Sequence, residues 1–254
     1  MNVKPLILVT NDDGIFAPGI RALVEVAREI GEVVVVAPDS PQSAKGHALS
    51  LNDPLFLKKV DKFDGLEAYE CSGTPVDCVK LAKDYVLEGR TIDLCVSGVN
   101  HGSNASINIL YSGTVSAAME ASLDGVDSIG FSLLDFSFDA DFEPIKPYIR
   151  QLILQTLEHS LKDCHLLNVN FPKGNDLKGI KVCRQAKARW IEKYEAKQDP
   201  RGRTYFWLTG DFVNEDTGTD TDIWALENNY ISVVPSMHDL TAYTAIEKLR
   251  FLEK

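Results

Sequence analysis

The chain has 254 residues, 44% hydrophobic and 25% charged, a balance that fits a globular domain with a sizeable core and excludes a disordered or fibrous chain. A net charge of −11 sets the surface against nucleic-acid backbones and anionic lipid, so neither a nucleic-acid polymer nor a membrane is expected as a partner. The five cysteines are odd in number and lack CxxC spacing, which argues against zinc ribbons and for reduced thiols in the cytoplasm.

In chain order, Leu6–Thr10 reads as a buried strand, closed by the turn Asn11-Asp12-Asp13-Gly14. Gly19–Ile30 has helical spacing through Ile20, Leu23, Val24 and Ala27, and Val33–Ala37 is a second buried strand. The polar stretch from Pro38 to Ser50 is too long to be a mere connection. Leu55–Leu57 and Leu66–Cys71 suggest short antiparallel strands. Pro75–Leu87 reads as a helix with Thr74 as cap and Pro75 at its first position. Ile92–Ser97 is a third buried strand, and the loop Gly98–Gly113 leads into the small-residue helix Thr114–Leu123. A strand at Ser128–Leu133, an amphipathic helix at Phe142–Leu161 and a strand at Leu166–Asn170 complete an alternation that specifies an α/β fold with a mainly parallel sheet.

Beyond about residue 180 the rhythm breaks. Aromatics and short alternating strands over roughly 187–225 read as a hairpin excursion suited to self-association. Tyr230–Val234 is expected to return to the sheet and Leu240–Phe251 to form a last helix, so residues 1–254 are expected to make one domain. No apolar leader with a cleavage site opens the chain, and no segment reaches membrane-spanning length.

Four polar loops follow strands: Asn11–Gly14, Ala37–Ser50, Ser97–Asn104 and Tyr111–Thr114. In a parallel doubly wound sheet these ends share one edge and can converge. Asp12, Asp13, a serine hydroxyl and the Asn100 side-chain carbonyl form an oxygen-only set suited to Mg²⁺ or Mn²⁺, although Asp at a helix start is equally a common cap. Ser112-Gly113-Thr114, before a helix, is either an anion cradle or an ordinary cap. His238 follows the last strand and is a candidate proton donor at the same edge, or a loop histidine paired with Asp239. His47 and His101 lie on the same loops, where simple exposure explains them equally well. A nucleotide P-loop and a GxSxG elbow are both missing, and consecutive rather than alternating aspartates fit poorly with an aspartyl-phosphate phosphatase.

The loops taken together resemble the SurE family of stationary-phase survival nucleotidases. The match runs through TNDDG, APGI, VVAPDSPQS, GTPVDCV, VSGVNHGSN, YSGTVSAAMEA, QDPRGRTYFW, GTDTDIWALENNYISVVP and HDLT, in order and across almost the whole chain. The resemblance implies a Rossmann-like three-layer core with a C-terminal oligomerisation excursion. It also implies a divalent-metal-dependent phosphomonoesterase acting on nucleoside 5′-monophosphates, with 3′-monophosphates as the open alternative. Carried over by position, the metal ligands are Asp12, Asp13, Ser43 and Asn100, and one Mg²⁺ or Mn²⁺ is expected per subunit. Phosphate and substrate contacts fall on Asn104, Ser112, Gly113 and Thr114, and the family's histidine falls on His238. The expected partners are a nucleoside monophosphate and further copies of the chain, as a homodimer or homotetramer. Asp12 or Asp13 would orient the attacking water, Asn100 would stabilise phosphoryl charge, and His238 would protonate the leaving oxygen. The rivals are a nucleotide-binding regulator without turnover and a phosphoacceptor receiver.

Overall fold

A computed structural model of the chain describes residues 4–137 and 139–253. The elements, in chain order, are β1 (Leu6–Thr10), α1 (Pro18–Ile30), β2 (Glu32–Pro38), β3 (Leu57–Lys59), β4 (Glu67–Cys71) and α2 (Pro75–Leu81). There follow β5 (Leu94–His101), α3 (Gly113–Leu123), β6 (Ser128–Leu133), α4 (Lys146–His159), β7 (Leu166–Phe171) and β8 (Ile180–Val182). The chain ends with β9 (Ala188–Gln198), β10 (Thr204–Asn214), α5 (Asp222–Glu227), β11 (Ile231–Ser236) and α6 (Tyr243–Leu249).

Nine strands form one sheet in the order β3-β4-β2-β1-β5-β6-β7-β11-β8, and β9–β10 stands apart as a two-stranded hairpin. From β4 to β7 neighbouring strands are parallel. The central strands are apolar on both faces, so alternate residues feed two cores. Ile7, Val9, Val33 and Val35 pack with Ile20, Leu23, Ile149 and Ile153 of α1 and α4. Leu8, Val34 and Val36 pack with Cys78, Val79, Ala117 and Ala121 of α2 and α3. This is the Rossmann-like three-layer architecture, with the order reversing between β1 and β5.

Several elements differ from the sequence reading for identifiable reasons. α2 carries the expected Thr74 cap, completed by Asp77 into a capping box, but passes into a π-helical turn at Ala82–Val86. β5 runs four residues further than expected, because a bulge between Ser97 and Asn100 lets pairing to β6 resume at Asn100 and His101. Gly98 permits it: its φ is +128°, and an added Cβ would lie 2.3 Å from the Phe131 carbonyl oxygen. The long helix expected at Phe142–Leu161 is α4 preceded by a 3₁₀ turn at Glu143–Ile145. β8 and α5 carry no clear period and escape the sequence reading.

The larger correction concerns β11. It joins the sheet but runs antiparallel to β7, with Ser236 opposite Leu166, the first residue of that strand. Its carboxyl end therefore lies on the edge opposite the carboxyl ends of β1 and β5. His238, two residues on and exposed, leaves from that far edge and does not share an edge with Asp12 within this chain. Apolar periodicity carries no strand direction, which is why the expectation failed.

Candidate functional site

The polar loops meet at the switch point between β1 and β5. β1 ends at Thr10, paired in register with Ser97, and the chain turns at once through Asn11, Asp12 and Asp13. The Asn11 side-chain amide donates to the Gly14 carbonyl at 2.9 Å, and the Ile15 N–H donates to the Pro38 carbonyl at 2.9 Å. These bonds fix the turn that lets two consecutive carboxylates occupy one locality, which an extended strand would forbid.

Asp12 is 4% exposed. Its carboxylate accepts the Thr114 hydroxyl hydrogen and lies against the start of α3. A Cβ on Gly113 would stand 2.8 Å from the Asp12 Cβ and 2.9 Å from Oδ2, so only glycine admits the carboxylate there. Burial, and then the neighbouring Asp13 charge, push the Asp12 pKa up to about 6, against the opposing pull of the Thr114 hydroxyl. Asp13 is more open; its Oδ2 accepts from the His101 backbone N–H at 3.3 Å and from the His101 ring at 3.2 Å. Among the described residues no lysine or arginine forms an ion pair with either aspartate.

Asn100 projects from the end of β5, and its amide nitrogen donates to the Gly102 carbonyl at 3.0 Å, which leaves Oδ1 as a free oxygen donor atom. Ser43 sits on a tight, exposed turn. Its loop is tethered to the site by the Gln42 N–H donating to the Asp12 carbonyl at 2.7 Å and the Gly46 N–H to the Tyr111 carbonyl at 3.2 Å. His47 anchors the same loop through a 2.7 Å contact to Glu120 of α3, which Lys80 also approaches from α2. His47 is thus a structural clasp.

The expected phosphate contacts divide in the structure. The Ser112 hydroxyl accepts from the Val115 N–H at 3.0 Å as the cap of α3 and keeps its own O–H to donate. The Thr114 hydroxyl hydrogen is already committed to Asp12. Asn104 is buried in an amide network: its N–H donates to Asn170 at 2.8 Å, its side-chain nitrogen to Ser132 at 2.7 Å, and its carbonyl accepts from Asn168 at 2.8 Å. Asn104 therefore pins the loop that precedes α3. The partners lie 28 to 66 residues away in sequence, so no local signal announced this network.

Residues that could hold a cation are Asp12, Asp13, Asn100 and Ser43, an all-oxygen set suited to a hard ion. The structure offers an independent sign that one fits. Asn11 Oδ1, Thr10 Oγ1 and Ser97 Oγ are all buried without hydrogen-bond partners at these same strand ends. Two carboxylates lacking a lysine or arginine partner, beside orphaned oxygens, form a site that a divalent ion would balance. Among the described residues no three His, Cys, Asp or Glu side chains form a ready cage, so amide and hydroxyl oxygens must complete the set.

Comparison with known proteins identifies the family. The family model described as survival protein SurE matches residues 7–192. The chain belongs to the SurE family. It is 61% identical over 249 residues to a protein of Flavobacterium psychrophilum named 5′-nucleotidase SurE, an alignment covering 97% of this chain and 96% of the relative. A Bacteroides thetaiotaomicron protein of the same name is 48% identical over 247 residues, covering 97% of this chain and 95% of the relative. The crystal structure of the SurE protein from Aquifex aeolicus superposes with a TM-score of 0.85 at 38% identity, covering 98% of this chain and all of that one. The SurE fold is therefore shared across nearly the whole length.

One outcome follows from strand direction alone. His238→Ala is expected to leave kcat/KM for a phosphate monoester within about twofold, because a surface change remote from the site seldom exceeds half a kcal/mol. Steady-state kinetics check this. A large loss would mean that His238 reaches the site from another copy of the chain.

Proposed function

We propose that the protein is a divalent-metal-dependent phosphomonoesterase that hydrolyses nucleoside 5′-monophosphates to nucleoside and phosphate. Full-length similarity to proteins named 5′-nucleotidase SurE supports the reaction class. The observation that carries the metal requirement is the Asp12–Asp13 pair, one member buried and neither with a lysine or arginine partner among the described residues. When bound, Mg²⁺ or Mn²⁺ supplies charge neutralisation at the phosphoryl oxygens and acidifies a water molecule.

The chain's own residues supply position. Asp12, Asp13, Asn100 and Ser43 hold the cation. Asp12 or Asp13 would orient the attacking water and take its proton. The Ser112 O–H and the amides at the start of α3 donate to equatorial phosphoryl oxygens, where their worth is greatest as charge builds up. Thr114 serves by fixing Asp12. His238 has no part in this scheme, and the leaving oxygen takes its proton from solvent.

The test is depletion and restoration. After treatment with EDTA, phosphate release from AMP and GMP is expected to fall at least about 100-fold, and Mn²⁺ or Mg²⁺ to restore it. Nucleotide binding without phosphate release under any metal would overturn the enzymatic reading.

The hairpin β9–β10 presents Trp190, Tyr194, Phe206 and Trp207 to solvent, more aromatic surface than an isolated ribbon sustains in a monomer. It is proposed as the self-association element of a homodimer or homotetramer. Light scattering giving a particle near 28.1 kDa would refute this. The five free cysteines suit a cytoplasmic setting, and among the described residues no helix is long and apolar enough to cross a membrane.

A further inference from the structure

His101 is the last residue of β5, and neither its position nor its neighbours in sequence explain how tightly it is used. Its side chain is 16% exposed. The ring meets Phe142 edge-on, with centroids 5.2 Å apart at 88°, so apolar packing fixes its plane. The backbone N–H and the ring Nδ1 both reach the same atom, Asp13 Oδ2, at 3.3 and 3.2 Å. A ring nitrogen that close to a carboxylate oxygen carries the hydrogen, because two lone pairs would repel. That assigns the proton to Nδ1 and leaves Nε2, buried and without a hydrogen-bond partner, as the other ring position.

The consequence falls on Asp13. A carboxylate on a short turn rotates freely about its last bond and can present either oxygen, or both, to an ion. Two donors from one residue, spaced to grip a single oxygen, remove that freedom. Oδ2 is occupied by protein, and Oδ1 alone is left to ligate. Partners of this kind stand behind metal ligands generally, and their removal typically costs about 10–100-fold in affinity.

We infer that His101 is a positioning residue that locks the Asp13 carboxylate so that Oδ1 faces the divalent cation. This rests on the metal-dependent reading above and adds to it a residue that the ligand set leaves out. His101 touches Asp13 and needs no contact with substrate.

The test separates the hydrogen bond from the packing. Asn at position 101 places an amide N–H close to where Nδ1 stands, whereas Ala removes the donor; both lose the contact with Phe142. His101→Phe keeps a ring against Phe142 without a donor. The readout is the Mn²⁺ dissociation constant without substrate, measured from the free-ion signal in electron paramagnetic resonance, beside the Tm of the metal-free protein. His101→Ala and His101→Phe are expected to weaken Mn²⁺ binding about 10–100-fold, and His101→Asn less than about threefold. The Ala and Asn variants are expected to show similar Tm values. Equal weakening by Asn and Ala, or no weakening by Phe, would overturn the inference. If Ala does not fold, the Phe and Asn pair decides alone. Failure of the unaltered protein to bind Mn²⁺ would instead overturn the metal-dependent reading, and this inference with it.

Discussion

Metal-free protein is expected to gain stability as the pH falls from 7.5 to 5, and Asp12→Asn to remove most of that gain. The folded pKa of Asp12 is about 6, against an ordinary value of 3.8. Between those values the folded state binds the proton more tightly than the unfolded chain, so stability rises as protons are added. Integrated over that window, this one group contributes roughly 1–1.5 kcal/mol, present at pH 5 and lost as pH rises through 6. Asp222, also raised by burial, acts in the same direction, which is why the comparison with Asp12→Asn isolates Asp12. Acids held below their ordinary range do not interfere. Asp77, for example, is favoured by hydrogen bonds from Ser50 and Thr74 that outweigh its burial, and it titrates below the window.

Saturating Mn²⁺ is expected to reverse the slope, because the ion needs the ionised carboxylate. In turnover, Asp12→Asn is expected to lose about 1,000-fold or more, the rate equivalent of several kcal/mol of charge stabilisation. Thermal melts at both pH values, with and without the ion, together with phosphate release, check all four statements. A flat pH response in the unaltered protein, or full turnover in Asp12→Asn, would refute the assignment.

Gly113→Ala is the second large effect. In most helices this exchange adds about 1 kcal/mol of stability. Here the new methyl would stand 2.8 Å from the Asp12 Cβ, a separation that neither backbone nor side chain tolerates. Asp12 must move by several tenths of an ångström and give up its bond from Thr114. A displacement of that order at a reacting centre can cost about 100-fold, and kcat/KM for AMP is expected to fall by that amount. Overpacking is expected to lower stability by about 1–3 kcal/mol instead of raising it. Kinetics and denaturant melts on the one variant test both outcomes, and retention of full activity would show that the carboxylate is not held as described.

Much of this was legible in the sequence. Buried runs such as Leu6–Thr10 and Ser128–Leu133 announce parallel strands because both faces of a covered sheet must be apolar. The Asp12–Asp13 turn, Asn100 and the start of α3 fall at one sheet edge because parallel topology leaves no other arrangement. What escaped depends on long-range pairing. His101 looks like an ordinary loop histidine until Asp13, 88 residues earlier, is placed beside it. The amide network that joins Asn104 to Asn168 and Asn170 of β7 spans 64 and 66 residues and leaves no local signal. β8 is three residues long and partly exposed, too short to carry a period. The direction of β11 is set by its partner, and no pattern within Ile231–Ser236 contains it.

That reversed strand also decides how the protein can be handled. β1 starts at Leu6 and β11 finishes at Ser236, and the registers through β5, β6 and β7 place both points on the edge away from Asp12. The N-terminal and C-terminal segments thus join the sheet on the same side. A reactive label or linker fixed at Met237, exposed just beyond β11, starts out behind the sheet and leaves the edge that carries Asp12 open to the solution.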